Sequence, residues 1–267
     1  MTNSILKCLA STLVLFSSIV ATSPAALAAP TLLVVDSSGG DASTGTFLND
    51  MTSLGFTTTF SSDFDFSSYA ALDYSSYTSI FIAWTANSSL IVSQSANLNN
   101  WVFSGGSLFL ESPNFDDAQL AAMPGGVGLS QSGGGGDDVV VTTPGIYTAG
   151  LTDADFSAWS NSYHNTFNAT GSLTTILSNT SSNALALAGS FGSGSVVFSQ
   201  LDPSYHIQNG SGPTGPTSSK GLFIQAGLLA AYSEDAPELS TSGAPLGLAI
   251  ALLPLLAFSS RRKPQPV

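Results

Sequence analysis

The chain has 267 residues, a formal net charge of −12 and one cysteine, and only 8% of its residues are charged. This acidic balance excludes nucleic acid and anionic lipid headgroups as partners, because negative surfaces repel them. It would suit Ca²⁺ or another divalent cation, whose ligands are oxygen atoms, although no cofactor motif is present. General solubility outside the cell is the alternative explanation of the charge.

The first 28 residues have the layout of a secretory signal. Lys7 precedes an apolar stretch over residues 8–20 and a small-residue run that ends in Ala26-Leu27-Ala28. Signal peptidase recognises such a positive start, short apolar core and Ala-x-Ala site. Cleavage after Ala28 would remove Cys8, so the mature domain would have no disulfide, thiolate metal site or cysteine nucleophile. A retained N-terminal hydrophobic helix is the alternative.

Residues 29–232 are predicted to form one α/β domain. Its first half alternates short apolar runs with amphipathic segments, a pattern typical of parallel strands joined by helices. Strands are predicted at residues 31–36, 56–60, 79–84 and 107–111, and helices at residues 43–54 and 93–103. The fold class predicted from this order is a three-layer sandwich with a mostly parallel sheet, flanked by hydrophobic helices at both ends of the chain.

The second half of the domain is less regular. Residues 131–138 are a Gly- and Ser-rich loop, and Gly192 and Gly194 predict a hairpin. The predicted strands are residues 139–141, 173–177, 184–188 and 195–201, and the predicted helix is residues 221–232.

A polar linker over residues 233–243 leads to a second apolar segment. Residues 244–258 are apolar, and Arg261-Arg262-Lys263 follow. The segment is short for a membrane span, but counting from Ser240 to Ser260 brings it near the required length. The basic residues would stay in the cytoplasm, so the domain would face outward as an exported protein.

The C-terminal layout resembles the PEP-CTERM sorting tail of Gram-negative bacteria. The resemblance rests on Pro237-Glu238-Leu239, the apolar segment and the Arg-rich end, with Leu239 where that family has Pro. It implies an outer-surface or extracellular-matrix location, with signal peptidase and an exosortase-like sorting enzyme as partners. An uncut C-terminal membrane anchor is the alternative.

The domain resembles class I glutamine amidotransferases, which have a flavodoxin-like fold. The similar pieces are the first strand, residues 79–84, residues 100–111 with their Gly-Gly before a strand that ends in Glu, and residues 194–206. Active members carry a cysteine between glycines after such a strand, whereas this chain has Ser112-Pro113-Asn114. The resemblance therefore implies an amidotransferase-like domain that is catalytically silent and has a binding or structural role.

Five polar residues are predicted to converge on one cleft, because ligand sites lie beyond the carboxyl ends of parallel strands. They are Asp36, Glu111, His164, Asp202 and His206. As ligand-binding residues we single out Asp36, His164 and His206.

Three interpretations of this set remain open. In a hydrolase, Ser112 would attack, His206 would act as base, and Asp202 or Glu111 would orient it. In a metal enzyme, His164 and His206 would bind the ion together with Asp202 or Asp36. In a silent domain, the histidines would anchor loops through hydrogen bonds.

Aromatic and acidic residues alternate over residues 60–77. The aromatic residues, which the sequence places among serines, are Phe60, Phe64, Phe66, Tyr69, Tyr74 and Tyr77. Exposed rings beside carboxylates suit carbohydrate, so an exopolysaccharide is one predicted partner. The alternative is that these rings cover the edge of the sheet.

Overall fold

The computed structural model describes residues 28–130, 139–157, 163–209 and 215–234, which form a ten-stranded mixed sheet with helices on both faces. The strands are β1 (Thr31–Asp36), β2 (Thr57–Ser62), β3 (Ser79–Ile82), β4 (Ser107–Glu111), β5 (Gly128–Ser130), β6 (Val139–Val141), β7 (Thr166–Ala169), β8 (Thr174–Asn179), β9 (Ala184–Phe191) and β10 (Gly194–Ser199). The helices are α1 (Gly45–Ser53), α2 (Asp63–Phe66), α3 (Ser88–Ser93), α4 (Ser95–Phe103), α5 (Asp117–Ala121), α6 (Asp153–Ser157), α7 (Pro203–Gln208) and α8 (Ser219–Glu234).

One half of the sheet is parallel. Strands β2, β1, β3, β4 and β10 lie side by side in that order, and every neighbouring pair is parallel. With β10 counted as the fifth strand, this is the 2-1-3-4-5 order of flavodoxin-like sheets. The order reverses beside β1, so a ligand crevice is expected between the carboxyl ends of β1 and β3.

The other half of the sheet is antiparallel, so the prediction of a mostly parallel sheet is wrong for this half. Strand β9 runs antiparallel to β10, β8 and β7, and β5 and β6 add further antiparallel pairs. The physical reason is the length of the connections. Gly192 and Ser193 alone join β9 to β10, and so short a turn can link only antiparallel neighbours. The predicted hairpin at Gly192 is confirmed.

Two hydrophobic cores lie on opposite faces of the parallel strands. Side chains of a strand alternate between faces, and β1 shows this directly. Leu32 and Val34 lie in the core that α1 and α8 cover, whereas Leu33 and Val35 lie in the core that α4 covers. All four side chains are completely buried, which explains why β1 is an unbroken apolar run in the sequence.

The predicted elements differ from the observed ones mainly where elements are short. The strands at residues 107–111 and 139–141 are confirmed to the residue. The helix predicted at residues 93–103 begins instead at Ser95, and a separate helix, α3, ends at Ser93; between them, the ψ of 5° at Gln94 departs from helical geometry. Helices α2, α3, α5, α6 and α7 and strands β5 and β7 were not predicted, because three to six residues are too few to show a clear period.

The predicted signal peptide apart from Ala28, the predicted loop at residues 131–138 and the C-terminal segment fall outside the described residues, as does most of the predicted linker. Within the described part of the chain, no helix is long and apolar enough to cross a membrane.

Candidate functional site at the carboxyl ends of the parallel strands

Polar side chains gather at the edge of the sheet where the parallel strands end. Asp36 is the last residue of β1, Glu111 is the last residue of β4, and Asp202 lies just beyond β10. Their carboxyl groups share one edge because β1, β3, β4 and β10 are parallel neighbours. The three predicted strand-end acids are therefore brought together on this edge, and Asp202 has the two histidines as its neighbours.

A His–Asp–His cluster is the central feature of the site. The Nε2 atom of His164 lies 3.0 Å from Oδ2 of Asp202, and Nε2 of His206 lies 3.2 Å from Oδ1 of the same carboxylate. The side chains of Asp202 and His206 are almost fully buried, whereas that of His164 is 39% exposed. The structure thus unites three predicted site residues, and only His164 among them is open to solvent.

Each member of this cluster is held by local structure. Asp202 precedes α7, whose first residue is Pro203, a residue favoured at the first helical position. His206 follows four residues after Asp202, one helical turn along, which returns its imidazole to the carboxylate. The backbone N–H of His164 donates to Gln200 O at 3.1 Å, and this contact fixes the loop before β7 against the end of β10.

The contacts shift the pKa values of the cluster in opposite directions. Burial by itself would raise the pKa of the Asp202 carboxyl, but its contacts with His164 and His206 outweigh burial and lower it. The hydrogen bond to Asp202 raises the pKa of His164 above its ordinary value, although burial opposes this. The imidazoles therefore stabilise the ionised form of the Asp202 carboxylate, and the carboxylate makes His164 a stronger base than a free imidazole.

An aromatic ring covers one side of His164. Trp84 stacks on the imidazole with ring centroids 5.7 Å apart and an interplanar angle of 18°, and Tyr205 meets Trp84 edge-on at 6.0 Å. The indole Nε1 donates to Asp41 Oδ2 at 2.9 Å, which fixes the ring. Sequence reasoning missed Trp84 and Asp41, although Trp84 lies two residues beyond β3 and the strand-end rule could have found it.

Asp36 lies at the predicted switch point but is enclosed. Its carboxylate accepts the backbone N–H groups of Ser37 and Ala42 at 2.7 and 2.8 Å, and it accepts the hydroxyl of Thr85, which follows β3. Gly40 packs so closely on the carboxylate that no Cβ would fit there. Burial raises the pKa of Asp36. These contacts make Asp36 a support for the loops on both sides of the crevice.

Glu111 is completely buried and also holds loops in place. Oε1 accepts the Ser204 backbone N–H at 2.7 Å, and Oε2 accepts the Trp84 backbone N–H at 3.0 Å and the Ser204 hydroxyl. Burial raises the pKa of this carboxyl well above its ordinary value, and the nearby charge of Asp202 adds to the effect. Glu111 thereby joins the loop after β3 to the start of α7.

Ser112, the predicted nucleophile, is buried in a different network. Its hydroxyl donates to Ser199 O at 3.0 Å and accepts from Gln200 Nε2 at 2.8 Å. The side chain is completely inaccessible to solvent. The structure therefore does not bring Ser112 to an imidazole, and both hydrogen-bonding roles of its hydroxyl are taken by β10 and the residue after it.

The metal interpretation requires three or more ligands around one point. In the described residues, no group of three His, Cys, Asp or Glu side chains is arranged to hold a metal ion. In the candidate set His164, His206 and Asp202, each imidazole directs its Nε2 toward a separate oxygen of the same carboxylate. This arrangement pairs the histidines with Asp202 and does not turn all three toward a shared centre.

Comparison with known proteins identifies no family, since no family model and no curated protein matches the chain. Solved structures do match. One assigned as part of a GMP synthase from Thermoplasma acidophilum has a TM-score of 0.51 and 14% identity, and the match covers 77% of this chain and 96% of that one. A cytoplasmic protein from Salmonella typhimurium also has a TM-score of 0.51 and 14% identity, over 73% and 96% of the two chains. A glutamine amidotransferase from Methylobacillus flagellatus has a TM-score of 0.48 and 10% identity, over 81% and 99%. The two structures with TM-scores of 0.51 share an α/β fold with this chain, and identities of 14% carry no activity to it.

Proposed function

We propose that this protein is exported, is held at the cell surface or in the extracellular matrix, and acts through binding, with an amidotransferase-like domain that is catalytically silent. The observation that carries the proposal is the state of Ser112. This residue occupies the position after β4 where the resemblance places a nucleophile, yet its buried hydroxyl is bonded to Ser199 and Gln200. A nucleophile needs an adjacent base and access to substrate, and Ser112 has neither.

The backbone near Ser112 supports the same conclusion. A nucleophile elbow is a sharp, strained turn from a strand directly into a helix. Among the described residues, the only non-glycine positions with positive φ are Ala149 and Ser182, so no such strain occurs after β4. Helix α5 begins only at Asp117, and Pro113 has no N–H to offer an oxyanion. Without a cysteine outside the proposed signal peptide, glutamine amide transfer lacks its nucleophile.

Export and surface retention are supported by the two ends of the sequence. Residues 1–28 carry the features of a signal peptide, and residues 244–267 resemble a PEP-CTERM tail with a basic end. Signal peptidase and an exosortase-like enzyme would process the chain, and an exopolysaccharide would be the partner that it binds. The absence of Lys and Arg between Ala29 and Ser260, except for Lys220, suits a role away from nucleic acid.

The proposal is tested by expressing the full-length chain in a Gram-negative host. We expect the protein in the outer-surface or medium fraction with Ala29 as its N-terminal residue by mass spectrometry. The purified protein should hydrolyse neither glutamine nor model esters, amides and glycosides above the background of a Ser112→Ala, His164→Ala double variant. Retention in the cytoplasm would contradict export, and turnover that the double variant lacks would contradict the silent domain.

A second function is favoured by one observation, the exposed His164 bonded to Asp202. A histidine oriented by a carboxylate can act as a general base on water, without a protein nucleophile. A secreted hydrolase of this kind would use His164 as base and Asp202 to orient it, with His206 and Glu111 fixing the carboxylate and α7. Activity that His164→Ala abolishes and Ser112→Ala leaves unchanged would establish this function in place of the silent domain.

A further inference from the structure

A second concave site lies on the opposite edge of the sheet, where β3 and β4 begin. This depression has a volume of about 420 Å³, and its lining includes Thr78, directly before β3, and Gly106, directly before β4. Helix α4 forms one of its walls through Asn97, Asn100 and Trp101. Its volume is in the range of small-ligand sites, roughly 300–1,000 Å³. None of the residues discussed at the carboxyl edge contributes to it.

A fixed indole ring forms part of this site. Trp101 lies against Gly106 so closely that any Cβ on residue 106 would collide with the ring. The indole Nε1 donates to Tyr77 O at 3.3 Å, which further limits rotation of the ring. Tyr77 also lines the depression, and both aromatic residues are half-buried. Because these rings are held before a ligand arrives, little conformational entropy is lost on binding.

Neutral hydrogen-bonding groups surround the rings. Asn97 and Asn100 lie three residues apart on α4, on the same side of the helix. The Asn97 amide N–H donates to Gln94 Oε1 at 2.9 Å, which fixes this side chain, while Asn100 is exposed. Each side-chain amide offers both donors and an acceptor. No lining residue of the depression carries a formal charge.

The charge of the domain disfavours anionic ligands at this site. Lys220 is the only Lys or Arg between Ala29 and Ser260, and its side chain is completely buried, with Nζ donating to His206 O at 3.1 Å. The surface of the described residues therefore presents no Lys or Arg side chain to a phosphate or a uronic acid. Anionic ligands would be repelled by the net negative charge. The site would therefore suit a ligand that is neutral, is rich in hydroxyl groups, and has an apolar face for the aromatic residues.

These properties match a pyranose sugar. We propose that the depression between Trp101, Tyr77 and α4 is a binding site for neutral oligosaccharide, in which a sugar ring packs against the indole and its hydroxyls bond to Asn97 and Asn100. This inference rests on the binding role proposed above and specifies its ligand. It also separates binding from the His–Asp–His cluster, because the two sites lie on opposite edges of the sheet.

The test is calorimetric titration of the full-length chain, as processed by the expression host, in a polyoxyethylene detergent. Glycoside detergents are avoided because they are themselves sugars. The probes are cellohexaose, maltohexaose and laminarihexaose, with trigalacturonic acid and adenosine as charged and aromatic comparisons. At least one neutral hexasaccharide should bind, and the two comparison compounds should not.

Two variants test whether the ligand binds in the depression, and two act as controls. Asn100→Ala should weaken binding about tenfold, the effect of losing one or two good hydrogen bonds. Ala71→Trp fills the depression from an exposed turn and should abolish binding without affecting folding. The matched control is Asn99→Ala, the same substitution at the neighbouring position of α4, which does not line the depression. This variant and Tyr205→Ala, at the opposite edge, should leave the affinity unchanged.

Two outcomes would overturn the inference. The first is an exported, inactive protein that binds none of the hexasaccharides at millimolar concentration, which would leave the proposed function standing. The second is binding that Asn100→Ala and Ala71→Trp do not change, or that occurs only with trigalacturonic acid or adenosine. Hydrolysis of model substrates with hexasaccharide binding intact would instead overturn the silent domain and support this site.

Discussion

Replacing Asp202 by Asn tests whether the His–Asp–His cluster is an ionic unit. The substitution keeps the shape of the side chain but removes the charge that contacts His164 at 3.0 Å and His206 at 3.2 Å. Because Asn fills the same volume, no cavity term is added, and the effect measures electrostatics and hydrogen bonding. We expect a loss of stability that depends on pH.

The size of the stability loss in Asp202→Asn follows from the two contacts of the carboxylate with the histidines. The buried contact between Asp202 and His206 lacks hydrogen-bond geometry, so we assign it about 1.5–2 kcal/mol, the low end of the about 1.5–3 kcal/mol that a buried hydrogen bond to a charged group contributes. The contact with His164 is discounted to about 0.5–1 kcal/mol, because that side chain is 39% exposed and solvent screens it. Asn retains one acceptor oxygen, so the total loss should be about 2–3 kcal/mol. For a domain of this size, such a loss lowers the Tm by roughly 5–10 °C.

The sign of the pH dependence follows from the shifted pKa values. The raised pKa of His164 gives stability that is complete below its ordinary value of 6.5 and is lost as pH rises through the folded value. The lowered pKa of Asp202 gives stability that is complete above 3.8 and is lost as pH falls through the folded value. The ionic contribution is therefore largest between these limits, and Asp202→Asn should cost more near about pH 5.5 than near about pH 8.

Urea unfolding at both pH values measures the cost, and NMR supplies a direct readout. The chain has only two histidines, so the imidazole signals can be assigned with a single His206→Gln variant. The pKa of His164 should fall when Asp202 becomes Asn. A double-mutant cycle with His164→Asn isolates their interaction, which should be about 0.5–1 kcal/mol at the lower pH. An equal loss of stability at both pH values, together with an unchanged His164 pKa, would refute the ionic interpretation.

Three further predictions concern residues around this site. Gly40→Ala should destabilise the protein by about 1–3 kcal/mol, because the new Cβ would collide with the buried Asp36 carboxylate. Gly45→Ala, at an open position in the first turn of α1, should instead raise the Tm slightly. Thermal unfolding compares the two variants, and equal effects would contradict the steric argument. Ser112→Ala should cost about 1–2 kcal/mol in urea unfolding, because Gln200 loses a partner, and a fully stable variant would show that the hydroxyl network contributes nothing. Glu111 has a raised pKa, so its contribution to stability falls as pH rises above about 4.5. Glu111→Gln should therefore flatten the dependence of the unfolding free energy on pH between about 5 and 8. An unaltered slope would count against the burial of a charge at this position.

The sequence predicted the parallel half of the fold because local patterns are sufficient there. A strand covered on both faces must be an apolar run, and β1 and β4 show such runs in the sequence. Parallel neighbours bring their carboxyl ends to one edge, so Asp36 and Glu111 could be placed on that edge before the structure was known. The antiparallel half was harder, since strands β5 and β7 have only three and four residues and their partners depend on turns.

By itself, the sequence determined which acidic residues lie at strand ends, the net negative charge, and the absence of a cysteine from the domain. Tertiary structure decided what those residues contact, because the decisive partners are distant in the chain. Ser112 meets Gln200 across 88 positions, and His164 meets Asp202 across 38. No local period encodes such contacts; they arise when β10 inserts beside β4 and the loop before β7 crosses its end. That packing buried Ser112, left one imidazole exposed, and placed Trp84 against it.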